Sequence, residues 1–288
     1  MGQTLSFEAA PDLRRLFVRA LLHGRSTGSS VPDVTAQRLS VRMDPDHVID
    51  YARVCGFTVG ATLPVTYPHV LSFPLQVALM SRRDFPFPLL GLVHLENTIT
   101  WTHPLTMGDA LDLSVRATNL RAHQRGRLVD LVTEVSVADA SGDRTVWRGV
   151  STYLARGQGE ESAPRAPVPD VTAVSGIAGG ATWRLDAGVG RRYAGVSGDV
   201  NPIHLHALAA KALGFDRAIA HGMYTYARVL AAIGPKVPAA GTSSVWFRKP
   251  VKLPGSVLLR VSADARLAVL LPATGTGEHL VVESAPAD

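Results

Sequence analysis

Apolar and polar positions change their period along this chain, and the changes outline its elements. From Leu111 to Arg116 the residues alternate Leu-Asp-Leu-Ser-Val-Arg, which predicts a strand with one face buried. Leu128 to Val137 and Val146 to Leu154, rich in Val, Leu and Thr, predict two more strands. A second series follows at Val245–Phe247, Val257–Val261, Leu267–Leu271 and Leu280–Val282. Before it, Met223 to Ile233 carries an apolar helical pattern that Gly234-Pro235 ends. Near the start, Leu13 to Leu22 predicts a short amphipathic helix. Its apolar face, Leu13, Phe17 and Leu21, is placed to dock on the domain that follows.

Residues 157–182 are rich in Pro, Gly, Ala and Ser and have no sustained period, the strongest linker signal in the chain. The predicted organisation is therefore an extension (1–34), a first domain (35–156), the linker (157–182) and a second domain (183–288). The two domains look like copies. YARVCGF at 51–57 lies over YAGVSGD at 193–199 without a gap, and Thr98–Pro104 parallels Ser244–Pro250. Matching order at nearly constant spacing predicts a duplication of whole domains.

Composition narrows the class. Apolar residues are 46% and charged residues 18%, a globular balance with material for buried cores. The single cysteine, Cys55, forms no intramolecular disulfide and reads as a small core residue in a cytoplasmic, reducing compartment. No apolar run is long enough for a membrane span. Of the net charge of +5, all lies beyond residue 182: residues 1–182 hold 17 basic and 17 acidic side chains, and 183–288 hold 12 and 7. Nucleic-acid binding is not expected, because no basic stripe is interleaved with aromatics; the modest excess fits a small phosphorylated ligand or simple surface solvation equally well.

The chemistry concentrates in residues 193–223, YAGVSGDVNPIHLHALAAKALGFDRAIAHGM. Asn201-Pro202 favours a turn, from which Asp199 and His204 can converge on one volume. A helix is predicted from about Ala207 to Leu213, stopping near Gly214. The stretch resembles the hydratase signature of the MaoC-like family, which includes R-specific enoyl-CoA hydratases and 3-hydroxyacyl-thioester dehydratases. The matching residues are Tyr193, Ser197-Gly198-Asp199, Asn201-Pro202-Ile203-His204, Ala212, Gly214-Phe215, Ile219 and His221-Gly222-Met223. His206 departs from the pattern, standing where many members carry an acidic residue.

The resemblance implies an α+β double hot dog, each half an antiparallel sheet wrapped around a central helix. It implies reversible hydration of trans-2-enoyl thioesters to (R)-3-hydroxyacyl thioesters, with Asp199 and His204 as the catalytic pair. A backbone N–H near Gly222, where the central helix begins, suits the developing enolate oxygen. Asn201 is a candidate orienting residue and Ser197 shapes the loop, both beside the substrate. His221 reads as a structural histidine at the helix start. The expected partner is an acyl-CoA or acyl-ACP substrate, with Arg248 and Lys249 as candidates to meet its phosphates or acidic groups. A homodimer is a further expectation. No cofactor is expected, and a metal cluster of His204, His206 and His221 is a weak reading without more carboxylates or a cysteine.

Laid over the second half, the first places Phe57 at Asp199 and Thr62 at His204, which predicts a catalytically silent domain. Its proline-rich stretch Val65 to Leu92, with Phe73, Phe85 and Phe87, is a candidate acyl-chain housing, and His94 and Glu96 are candidates to line the same cleft. Two other functions stay open: an acyl-CoA thioesterase on the same fold, and a non-catalytic acyl-thioester-binding module.

Overall fold

In the computed structural model, which describes residues 2–23, 29–137, 144–164, 166–175, 177, 179–212, 214–274 and 277–287, the two predicted halves become one sheet. The first half contributes β1 (Gln3–Ser6), α1 (Leu13–His23), β2 (Val34–Arg42), α2 (Pro45–Cys55), α3 (Tyr67–Met80), β3 (Leu92–Trp101), β4 (Ala110–His123), β5 (Gly126–Val137) and β6 (Arg144–Arg156). The second contributes α4 (Thr172–Ser175), β7 (Ala181–Leu185), α5 (Val189–Ser197), α6 (Pro202–Leu205), α7 (Ala207–Ala212), α8 (Gly222–Ile233), β8 (Gly241–Phe247), β9 (Gly255–Val261), β10 (Leu267–Pro272) and β11 (Leu280–Pro286). Leu213, the predicted end of α7, lies outside the described residues.

The strand order is β1-β2-β4-β5-β6-β3-β8-β11-β10-β9-β7. Apart from β1, which joins β2 in parallel, every pairing is antiparallel. The order reads the same from either side of the β3–β8 seam, with β2-β4-β5-β6-β3 answered by β7-β9-β10-β11-β8. Thr98 pairs with Ser244 there, their hydroxyls 2.9 Å apart. These two residues are equivalent in the duplicated sequence, so the internal twofold axis passes between them. Off the sheet, the equivalent Tyr51 and Tyr193 face each other with ring centroids 6.3 Å apart. The chain is a double hot dog.

Periodicity explains the cores. Leu111, Leu113 and Val115 of β4 turn inward and are almost completely buried, while their polar neighbours face outward. In α8, Tyr226, Val229 and Leu230 are fully buried. The proline-rich stretch after Val65 forms a helix, α3, the central helix of the first half, with most of its side chains buried. Pro68 stands in its first turn, where a missing N–H removes no helical bond, and Pro74 is accommodated inside it. In α1, Phe17 is buried, and Leu13 reaches the second half at Gly198; the Leu21 side chain lies outside the described residues. Cys55 is fully buried. Among the described residues no helix is long and apolar enough to cross a membrane.

Candidate active site

The local sequence dictates how Asp199 and His204 meet. Helix α5 ends at Gly198, whose left-handed φ of 71° turns the chain sharply out of the helix. In the loop that follows, the Asp199 N–H donates to Ser197 Oγ (3.2 Å) and the Asn201 N–H donates to Asp199 Oδ1 (3.1 Å). Asn201 then caps α6, its Oδ1 accepting from the Ile203 N–H, with Pro202 at the first helical position. Ser197 and Asn201 thus hold the loop that carries the carboxylate. His204 sits in that short helix, and its Nδ1 lies 2.9 Å from the Ile219 carbonyl oxygen. A carbonyl only accepts, so Nδ1 carries the proton and a neutral His204 keeps a bare Nε2.

His221 completes the cluster. It is the cap residue of α8, its Nε2 donates to the Asp199 carbonyl oxygen (3.0 Å), and Asp199 Oδ2 is 3.9 Å away. The His204 and His221 rings stack with centroids 3.7 Å apart. Both are buried, whereas the Asp199 side chain keeps 24% of its exposure. Burial pushes the Asp199 carboxyl above its ordinary value, opposed by His204 and by the backbone bond from Asn201. Burial pushes His204 down, opposed by Asp199 and Ile219, and pushes His221 far down, with His204 adding to it. The result is two neutral imidazoles beside a carboxyl of raised proton affinity.

One donor atom each from Asp199, His204 and His221 lies within 4.8 Å of the others, a spacing a metal ion can span. The ring geometry does not suit one. Stacked imidazoles direct their in-plane lone pairs side by side rather than at a common point, and His221 Nε2 is already a donor to Asp199. His206 is exposed and stands outside the group.

Gly222 opens α8, and no side chain caps that end. A Cβ at this position would stand 2.9 Å from the Phe247 ring, so glycine is required by Phe247. Behind Phe247 stands a wall from the first half: His94 lies 5.1 Å from Phe247 and stacks on Tyr153 at 4.6 Å, and the His69 ring lies near-parallel to it at 6.2 Å. Tyr153 donates to Gln76 Oε1 (3.3 Å), and Gln76 Nε2 donates to Thr133 (3.2 Å). Asp199 is close enough to help raise the Tyr153 hydroxyl. His69, Gln76, Tyr153 and Phe247 carry no local sequence signal; topology alone assembles them. Glu96 does not share this wall. A bulge in β3 pairs His94 with Tyr153 but Glu96 with Thr152, so the two residues face opposite sides of the sheet. Glu96 instead feels Arg121 and Asp130.

The first half also departs from the gapless alignment. Phe57 follows Gly56, left-handed like Gly198, and stands where Asp199 does. Thr62, however, bridges Thr106 as Ile219 bridges Lys252, so it is the counterpart of Ile219 rather than of His204. Four residues separate Phe57 from Thr62, against nineteen between Asp199 and Ile219. Among the described residues the first half has no equivalent of α6 and α7, and hence none of His204. A cavity of about 490 Å³ occupies this place, lined by Phe57, Thr62, Trp101, Trp147, Leu230 and Ala231 among others. Phe85 and Phe87 lie elsewhere, packed edge to face, with Arg127 over Phe87. Arg248 and Lys249 are exposed at the end of β8.

Fold and site together define a hot-dog protein of the hydratase and dehydratase class. Residues 187–265 match the MaoC like domain, and residues 49–147 match the FAS1-like, dehydratase domain region. The chain is 42% identical over 233 residues to 3-hydroxyacyl-thioester dehydratase X of Mycobacterium tuberculosis, covering 80% of this chain and 79% of that protein. It therefore belongs to the family of MaoC-like 3-hydroxyacyl-thioester dehydratases. The crystal structure of HtdX from the same organism superposes with a TM-score of 0.75 at 38% identity, covering 88% of this chain and all of the other. A MaoC-like dehydratase from Phytophthora capsici shares the fold at 17% identity, with a TM-score of 0.67 over 88% of this chain and 94% of its own.

Proposed function

We propose that this chain reversibly adds water across trans-2-enoyl thioesters to give (R)-3-hydroxyacyl thioesters, at one site formed by Asp199 and His204. The observation that carries the reading is the fixed pair itself: a carboxyl of raised proton affinity beside an imidazole whose Nδ1 is committed to Ile219. Carboxyl and bare Nε2 hold one water between them. The proton leaving that water as its oxygen attacks C3, and the proton reaching C2, both pass through this pair. Delivery of both from one side makes the addition syn. Charge building on the thioester oxygen meets the open N–H end of α8 at Gly222. His221 holds the Asp199 carbonyl and the start of α8 in one register.

The first half supports and does not react, because Phe57 cannot activate water and α6 has no counterpart there. No cofactor enters this chemistry, since the bond changes are proton transfers and one C–O bond. Exposed Arg248 and Lys249, in the half that carries the positive excess, suit a phosphorylated carrier, whether CoA or an acyl carrier protein. A cytoplasmic setting and self-association belong to the same reading; mass measured across a concentration series tests the latter.

Hydration of crotonyl-CoA, followed by loss of enoyl absorbance with chiral analysis of the product, tests the function. An R product with no release of free thiol supports it. Thiol release from saturated acyl-CoA would replace it with a thioesterase, and tight binding without turnover would leave a binding module.

A further inference from the structure

The internal twofold axis shows what bounds the acyl side of the catalytic cleft. Around the first-half cavity stand Phe57, Trp101, Leu105 and Ala231. Their partners across the axis are Asp199, Phe247, Val251 and Gln76, the last obtained by aligning α3 and α8 at their cap residues, Thr66 and His221. That alignment is supported by a repeated contact. Tyr51 bonds the Thr66 hydroxyl (2.8 Å), and the equivalent Tyr193 packs on the His221 ring (4.9 Å). Where the first-half cavity has the methyl of Ala231, the catalytic side therefore has the amide of Gln76, bonded to Thr133 and to Tyr153, whose ring stacks on His94.

His94 is the member with unused capacity. Its Nε2 is shut off from solvent and has no hydrogen-bond partner. The Glu96 backbone at the β3 bulge favours the protonated ring, but as the weakest of the influences on it. Burial, with His69 beside it, holds the imidazole neutral, its pKa pushed down to about 3. Nε2 is then an unpaired nitrogen of a neutral ring, beside the Phe247 ring that borders Gly222. Leaving such an atom unpaired is costly, and a substrate group that pairs with it is favoured about tenfold or more. A saturated hydrocarbon tail does nothing to relieve that cost.

Resting on the hydratase reading of the same site, the geometry points to His94 as a specificity-determining residue that forms a hydrogen bond with a hydroxyl on the substrate's acyl chain, a group able to pair with the ring nitrogen in either tautomer. The substrate class is then hydroxylated 2-enoyl thioesters rather than plain alkyl ones. The hydroxyl replaces the missing partner of Nε2, and the linkage through Tyr153 to Gln76 holds the ring in place.

The test compares kcat/KM for trans-2-octenoyl-CoA with that for its counterparts hydroxylated at each carbon from C5 to C8. In the wild-type protein one counterpart is expected to exceed the unsubstituted substrate about tenfold. In His94→Leu the ratio falls to one or below, since the hydroxyl is then buried against a methyl. In His94→Gln, whose amide can donate or accept, part of the preference returns. Hydration of octenoyl-CoA with no hydroxylated counterpart preferred overturns the inference and leaves the hydratase reading standing. Absence of hydration with every substrate overturns the hydratase reading itself. A preference that survives His94→Leu unchanged assigns the selectivity elsewhere and also overturns the inference.

Discussion

The two halves leave the same turn and separate within one residue of it. After left-handed Gly56 comes Phe57, and after only four intervening residues the chain has joined β4's leading loop through Thr62 and Thr106. After left-handed Gly198 comes Asp199, and the chain then spends nineteen residues on α6, α7 and their loops before Ile219 makes the equivalent bridge. The central helices differ too. Gly222 opens α8 without a side-chain cap, whereas in α3 the Tyr67 N–H is bonded to the Pro64 carbonyl (2.7 Å) and Pro68 has no N–H. The first half thus lacks the carboxylate, the imidazole and the free helix-end donors together. A shared backbone frame is not enough for catalysis; an inserted segment and an open helix end make the difference.

Removing either member of the pair should erase the contrast. Asp199→Asn and His204→Gln are each expected to lower kcat for enoyl-CoA hydration about 100- to 10,000-fold, with thermal melts showing the fold retained. Conversely, Phe57→Asp with Thr62→His in the Asp199→Asn background is expected to restore nothing. Thr62 occupies the place of Ile219, and the donors at α3 are spent. Recovered turnover in that triple variant would show that the first half needs only the two side chains.

Gly222→Ala sharpens the comparison at the helix end. The new methyl meets the Phe247 ring, and displacement of the donor by a few tenths of an ångström is expected to lower kcat about 10- to 100-fold. Steady-state kinetics with an unchanged far-ultraviolet spectrum checks it.

The polar wall predicts a pH effect on stability. Burial holds His69 near 4 and His94 near 3, against an ordinary value of 6.5. The unfolded chain therefore binds more protons than the folded one between those values. The stabilising contribution is complete above pH 6.5 and is lost as pH falls toward 4, by on the order of 1–2 kcal/mol per histidine at pH 5. Urea midpoints at pH 7 and pH 5 measure the drop, and His69→Leu should shrink it. The smallest effect belongs to the seam: Thr98→Val removes the bond to Ser244 and is expected to cost no more than about 1 kcal/mol in the same urea titration.

The strands were legible because alternation such as Leu111, Leu113 and Val115 is a direct record of a half-buried surface. The catalytic loop was legible because Gly198, Asn201 and Pro202 each have a local reason to be there. Helix α3 lies in a stretch that the sequence marks only as proline-rich and apolar; its helix becomes visible once Pro68 is placed in a first turn and Pro74 is enclosed by packing. The bulge that separates His94 from Glu96 leaves no mark in a two-residue period. The insertion after Asp199 was invisible to an alignment without gaps, and Thr62 was matched to the wrong partner for that reason. His69, Gln76, Thr133 and Tyr153 come from three different elements, so only the folded sheet unites them.

The β3–β8 seam makes two half-proteins into one molecule through six residues of strand β8 and an unbroken ladder. In an assembly of two identical chains, every substitution is made twice, and a residue cannot serve catalysis on one side while serving recognition on the other. Covalent fusion across this seam removes that restriction. Each copy answers to its own selection, partner loss by dilution is impossible, and one chain can hold a workplace on one side and a wall shaped for its client on the other.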